Sequence, residues 1–155
     1  MNLIVPSAIP SLTVGGVVFT DLQNLIVLVS FCNSTASHTS TPRKWNGSAG
    51  YQVTAGKTLK IRAMRMQIPV ATAGVDAPHT LGYADNDVGL DGTTAHTNLV
   101  YIGGSSGIST GLYGISAVAS FYESPIWLDV PATKYVAHLT NATHLERIML
   151  FGYEV

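Results

Sequence analysis

The feature that most limits this chain is the spacing of its apolar runs. They are short, and Gly, Pro, Asn or Asp punctuates most of the joins between them. Strand-like runs cover 17–20, 25–32, 51–54, 58–68, 80–84, 97–102, 112–122, 126–130, 134–140 and 145–155. Segment 25–32 is an apolar run of the kind expected for a buried central strand. No stretch holds a helical period for long. Thr143 and Glu146 stand at capping-box spacing, but Gly152 ends the run that follows after little more than a turn or two, so 145–155 reads as a strand. About eight or nine strands in 155 residues predict an all-β chain, an antiparallel β-sandwich of jelly-roll-like type. Residues 17–155 are read as one sandwich domain and residues 1–16 as an extended N-terminal arm. Pro6 and Pro10 forbid a helix through the arm and Gly15-Gly16 closes it.

That arm is apolar, carrying Leu3, Ile4, Val5, Ile9, Leu12 and Val14. An apolar segment must lie on something, its own domain or a neighbour. It is not read as a signal peptide, because the first basic residue is Arg43 and Pro6, Pro10 and Asp21 interrupt the stretch. The chain has no apolar run of about 18 residues, so no membrane helix is expected.

Two other local patterns set expectations. In 58–68, Leu59, Ile61 and Ala63 alternate with Lys60 and Arg62; the phase then flips, and Met64, Met66 and Ile68 alternate with Arg65 and Gln67. Since strand periodicity is two, a flip means a bulge or a second buried face. The reading favoured here gives Met64, Met66 and Ile68 to a subunit contact. Segment 53–59 also echoes 130–136: Val-Thr-Ala-Gly-Lys-Thr-Leu against Val-Pro-Ala-Thr-Lys-Tyr-Val. Both read as a tight turn delivering the chain into a strand.

Composition enters through charge. Only 11% of residues are charged, against about 25% for an average soluble domain. Depleted charge marks interface cores, so much of the surface is expected to be covered by other subunits. The net charge of −1 and the absence of a basic patch speak against a nucleic-acid partner. Cys32 is the only cysteine, which excludes an internal disulfide and a Cys-type zinc site.

Several motifs tempt and then fail on context. Gly103, Ser105 and Gly107 fit G-x-S-x-G, with Asp129 and His138 or His144 following in hydrolase order. A nucleophile elbow needs a helix directly after it, and Gly111 and Gly114 lie in a strand-like pattern instead. Gly56-Lys57-Thr58 resembles a P-loop end, but the first Gly would fall on Tyr51. The five histidines, His38, His79, His96, His138 and His144, have no metal-ligand spacing. Asp85, Asp87 and Asp91 lie on a Gly-containing loop and form the best metal candidate, though without EF-hand order; the polar-loop reading is preferred, and no cofactor is expected. The long polar stretch 33–50 contains Trp45, an aromatic either exposed for a partner or folded back as a lid.

Together, the apolar arm without a signal, about eight strands, few charges, the two turn-to-strand units and the terminal strand ending Leu150-Phe-Gly-Tyr-Glu-Val155 resemble the jelly-roll decoration (cement) proteins of tailed bacteriophage capsids. The resemblance is architectural and covers most of the chain. It implies a non-enzymatic virion protein, made in the host cytoplasm, that sits as a homotrimer on the capsid surface between major capsid subunits and stabilises the shell. No nucleic acid, membrane or small-molecule substrate belongs to that role. On it, the partner-binding residues would be Leu3, Ile4, Val5, Ile9 and Leu12 of the arm, Trp45, and the Met64, Met66, Ile68 face. A second reading is a carbohydrate- or receptor-binding sandwich of a fibre or tail tip, using Trp45 and the aromatic loops.

Overall fold

A computed structural model of the chain describes residues 10–32, 38–68, 76–90, 94–109, 120–140 and 146–155. Among these residues it is all-β, with β1 (Leu12–Val14), β2 (Val17–Phe19), β3 (Ile26–Cys32), β4 (His38–Ser40), β5 (Arg43–Lys44), β6 (Leu59–Ile68), β7 (Asp76–Ala84), β8 (Val100–Ser109), β9 (Ser120–Val130), β10 (Tyr135–Thr140) and β11 (Glu146–Glu154). No helix among them is long and apolar enough to cross a membrane.

All strand pairs are antiparallel. A five-stranded sheet runs β5-β3-β11-β6-β9 and a four-stranded sheet β4-β10-β7-β8. The pairs nest: β3 with β11, β4 with β10, β6 with β9, and β7 with β8. Successive pairs fall in alternate sheets, and the two sheets pack as a sandwich. Their shared core joins Leu28, Ile61, Met66 and Leu150 of the larger sheet to Leu81 and Val136 of the smaller.

The outer face of the five-stranded sheet is also partly covered. β1 and β2 form a hairpin with Val14 opposite Val17. Three-residue strands are too short to stand alone; these are held by a second apolar cluster in which Val14 and Phe19 meet Ala63 and Phe151. The Phe19 ring lies 6.1 Å from that of Phe151 and 5.7 Å from that of Tyr153. Glu123 on β9 accepts the Gly15 amide at the hairpin turn (3.0 Å) and pairs with Arg65 (2.6 Å). Leu12 and Val14 thus pack on the chain's own sheet, so of the two seats expected for the arm they take the chain's own domain, and Leu12 is not left for a partner. Leu3, Ile4, Val5 and Ile9 lie outside the described residues.

The phase flip in β6 is a bulge. Against β11, Phe151 pairs with Ala63 and Gly152 with Ile61, leaving Arg62 as the extra residue. Ile61 and Met64 therefore both face the inter-sheet core, while Ala63 faces the hairpin. Position 152 must be glycine here, because a Cβ would lie 2.3 Å from the Lys60 carbonyl oxygen. This corrects the subunit-contact reading of the methionines. Met64 and Met66 are 2% and 0% exposed within the chain's own core, so they offer nothing to a neighbour. Ile68 closes β6 opposite Ser120.

The internal echo is structural. Lys57 N–H donates to the Thr54 carbonyl (3.0 Å) and Lys134 N–H to that of Pro131 (3.3 Å). The third residue of each turn has positive φ, 77° at Gly56 and 65° at Thr133, which is the type II pattern. The flanking residues Val53, Leu59, Val130 and Val136 are all buried. The two units also touch: Val53 exchanges backbone hydrogen bonds with Thr133 and Lys134, both at 2.9 Å, and Leu59 pairs with Val130.

Candidate functional site

The acidic loop after β7 spends its carboxylates on the protein itself. Asp85 pairs with Lys134 and accepts the Asn98 side-chain amide (2.5 Å); these contacts, Lys134 first, hold its carboxyl below the usual carboxylate range. Asp87 accepts the Gly50 and Gly89 amides, both at 2.8 Å. Asn86 accepts the Thr97 amide (2.6 Å) and donates to the Ala95 carbonyl (3.1 Å). The loop is laced by its own Asx side chains, as the polar-loop reading expects. Among the described residues no three His, Cys, Asp or Glu side chains gather as metal ligands. Asp91 lies outside them.

Among the described residues the hydrolase constellation is not assembled; His144 lies outside them. Gly103, Ser105 and Gly107 run through the interior of β8, where the motif needs a strand-to-helix turn. Asp129 pairs with Arg62 at 2.6 Å. His138 is enclosed in the sandwich with Ser30 and Ser40: its Nδ1 is 3.1 Å from Ser30 Oγ and 3.3 Å from Ser40 Oγ, and the two hydroxyls bond to each other. All three residues are buried, so this group satisfies polar atoms in the core and meets no substrate from solvent. Sequence reading missed the cluster because His138 comes from a strand about a hundred residues from the two serines. His96 lies beside it: its Nε2 is 3.2 Å from the Ser40 carbonyl oxygen and so carries the proton. Burial pushes the His96 pKa down, and its buried Nδ1 has no hydrogen-bond partner among the described residues.

Among the described residues several large apolar side chains stand exposed. Val100, Tyr101 and Ile102 open β8, an edge strand, and all three are exposed. Strand alternation would bury one face; here Gly82 pairs with Tyr101 and Leu81 with Gly103, so Ile102 is an extra residue that breaks it. Trp127 stands 73% exposed on β9, the edge strand of the other sheet. β9 also carries Pro125 and the paired Glu123 and Asp129, the residue types by which natural sheets blunt an edge.

Trp45 is another large exposed aromatic, 68% accessible. It follows β5 in a turn closed by the Gly47 amide donating to the Lys44 carbonyl (2.8 Å). The indole lines a small apolar pocket of about 160 Å³ over Val29, Phe31 and Met149, flanked by Arg65 and Arg147. It also lines an open groove of about 1120 Å³, reaching from the β2–β3 connection to the C-terminal residues. Its walls are tied: Tyr51 donates to Glu154 (2.7 Å), Lys44 Nζ sits 5.2 Å from the Tyr51 ring centre, and Asn24 donates from its side chain to Asp21 (2.8 Å). Burial and the Glu154 carboxylate raise the Tyr51 pKa, keeping it a neutral donor.

Compared with known proteins, the chain matches no family model, no curated protein and no solved structure.

Proposed function

We propose that this chain is a non-enzymatic structural protein of a virion, a jelly-roll decoration protein that binds as a trimer between the major capsid subunits of a tailed phage. The observation that carries the reading is the apolar surface on its edge strands, Val100, Tyr101 and Ile102 of β8 and Trp127 of β9, in a chain with only 11% charged residues. Exposed apolar patches of this kind mark contact surfaces. The strand order supports the jelly-roll assignment: with β3, β4 and β6–β11 as its eight strands, the nested pairs give two interleaved Greek keys. Such folds serve in viral capsids and in lectins. The test is reconstitution. Shells of the parent phage assembled without the chain are mixed with the purified protein and sedimented. Saturable binding at a fixed ratio to shell subunits is expected, and its absence from intact shells sinks the reading. A saccharide- or receptor-binding module of a fibre or tail tip is the second reading, favoured by the exposure of Trp45 at the lip of the open groove.

A further inference from the structure

We infer that the groove beside Trp45 is a binding site for a neutral saccharide. The inference rests on the binding-module reading of Trp45 and stands apart from the capsid reading, since a decoration protein and a fibre tip can both carry such a site.

Burying a tryptophan side chain is strongly favourable, yet Trp45 stands out in solvent on a turn fixed by the Lys44–Gly47 hydrogen bond. A ring presented on a closed turn is preorganised, so a ligand that stacks on it loses less ordering entropy. The groove on its flank is neither an apolar slot nor a charged one. Its charged side chains are Lys44, Lys57, Asp21 and Glu154, two of each sign, so the side chains of the lining give no excess of either sign with which to select an anion or a cation.

The hydrogen-bonding groups of the groove divide in the same sense. Tyr51, Glu154 and Asp21 are committed to protein partners. The carboxamides of Gln23 and Asn46 and the hydroxyl of Thr20 also line the groove. A carboxamide offers both a donor and an acceptor, which is what vicinal hydroxyls of a sugar ring require. A pyranose has an apolar C–H face to lay on an indole and hydroxyls round its edge. An exposed ring sharing a groove with amides that no protein group engages among the described residues fits that chemistry. An extended peptide would want apolar side-chain pockets, and an anionic ligand an excess of Lys or Arg.

The experiment uses the full chain and a panel of neutral mono- and oligosaccharides, with uncharged peptides alongside. Binding is read by tryptophan fluorescence and by calorimetry. Trp127→Ala leaves Trp45 as the only tryptophan, and Trp45→Ala leaves Trp127. A saturable response to at least one saccharide is expected in the parent and in Trp127→Ala, weakened about tenfold or more in Trp45→Ala. A Gln23→Ala, Asn46→Ala variant, with both side chains at the surface, is expected to lose affinity while its melting temperature stays unchanged. No saturable response to any saccharide overturns the inference and leaves the capsid reading intact. So does a response that survives Trp45→Ala, or binding of the peptides alone; the last would keep the receptor-binding reading while removing its sugar.

Discussion

Exchanging the residues at the centre of the two echoed turns tests how far the repeat in the sequence is a repeat in physics. Gly56 and Thr133 occupy the same place in their turns, at φ 77° and 65°. A Cβ at Gly56 meets no heavy atom within 4 Å, so Gly56→Thr adds backbone strain and no clash. A left-handed backbone costs an L-residue about 1–2 kcal/mol, and the loss of glycine's freedom in the unfolded chain returns about 0.4–1 kcal/mol. The expected net destabilisation is about 1 kcal/mol. Thr133→Gly runs the same ledger backwards and is expected to stabilise by about 1 kcal/mol, less whatever the exposed Thr133 hydroxyl contributes through its bond to the Ala132 carbonyl. For a chain of this size each change moves the melting temperature by roughly 2–4 °C. The assay is guanidinium unfolding at one fixed protein concentration, because self-association makes stability concentration-dependent. In the double exchange the two changes oppose each other, and since Thr133 is hydrogen-bonded to Val53 of the other unit, any departure from the parent's stability measures the coupling between the turns. A Thr133→Gly chain less stable than the parent, or a Gly56→Thr chain as stable, would refute the strain argument.

Three further outcomes are expected. Met66→Ala removes a fully buried side chain and should cost about 2–5 kcal/mol without changing the oligomer; near-neutral unfolding with an altered mass would return the methionine to an interface. Acid should destabilise in two stages. His96 has a lowered folded pKa, so the unfolded chain takes its proton first and stability falls as pH drops below about 6.5. Glu123, held down by the Gly15 amide and Arg65, and Asp85, held down by Lys134 and Asn98, lose their contribution only as pH falls below their unfolded values and through the folded ones. His96→Gln should flatten the first stage and leave the second, and an unchanged slope near pH 6 would count against the assignment. Lysines at Tyr101 and Ile102 should leave the melting temperature within a few degrees while weakening self-association or shell binding, and an unchanged assembly would clear β8 of that role.

Much of the fold was legible because strands announce themselves by period and punctuation. β3, β6, β10 and β11 fall within a residue or so of the apolar runs that predicted them. β8 was read only at its apolar start, since Gly103 to Ser109 carries the composition of a loop and becomes a strand only by pairing with β7. The phase flip in β6 was visible, but choosing between bulge and interface required the partner strand, because a bulge is defined by two residues facing one. The β1–β2 hairpin was hidden for a related reason: nothing local in Leu12 to Phe19 says that the outer face of a sheet built from distant strands is apolar at Ala63 and Phe151. Of the residues singled out for partners, Trp45 is the large aromatic that stands exposed. Trp127 and the Val100 to Ile102 run were given to the core instead of the surface, because in sequence an exposed strand residue and a buried one look alike.

The most direct test of the central claim, that this is a chain made to be assembled, is its mass in solution by size exclusion with light scattering over a wide range of concentration. The account expects a trimer of the 16.4 kDa chain. A single 16.4 kDa species at every concentration would contradict it, leaving the low charge and the exposed edge residues without a partner of their own kind.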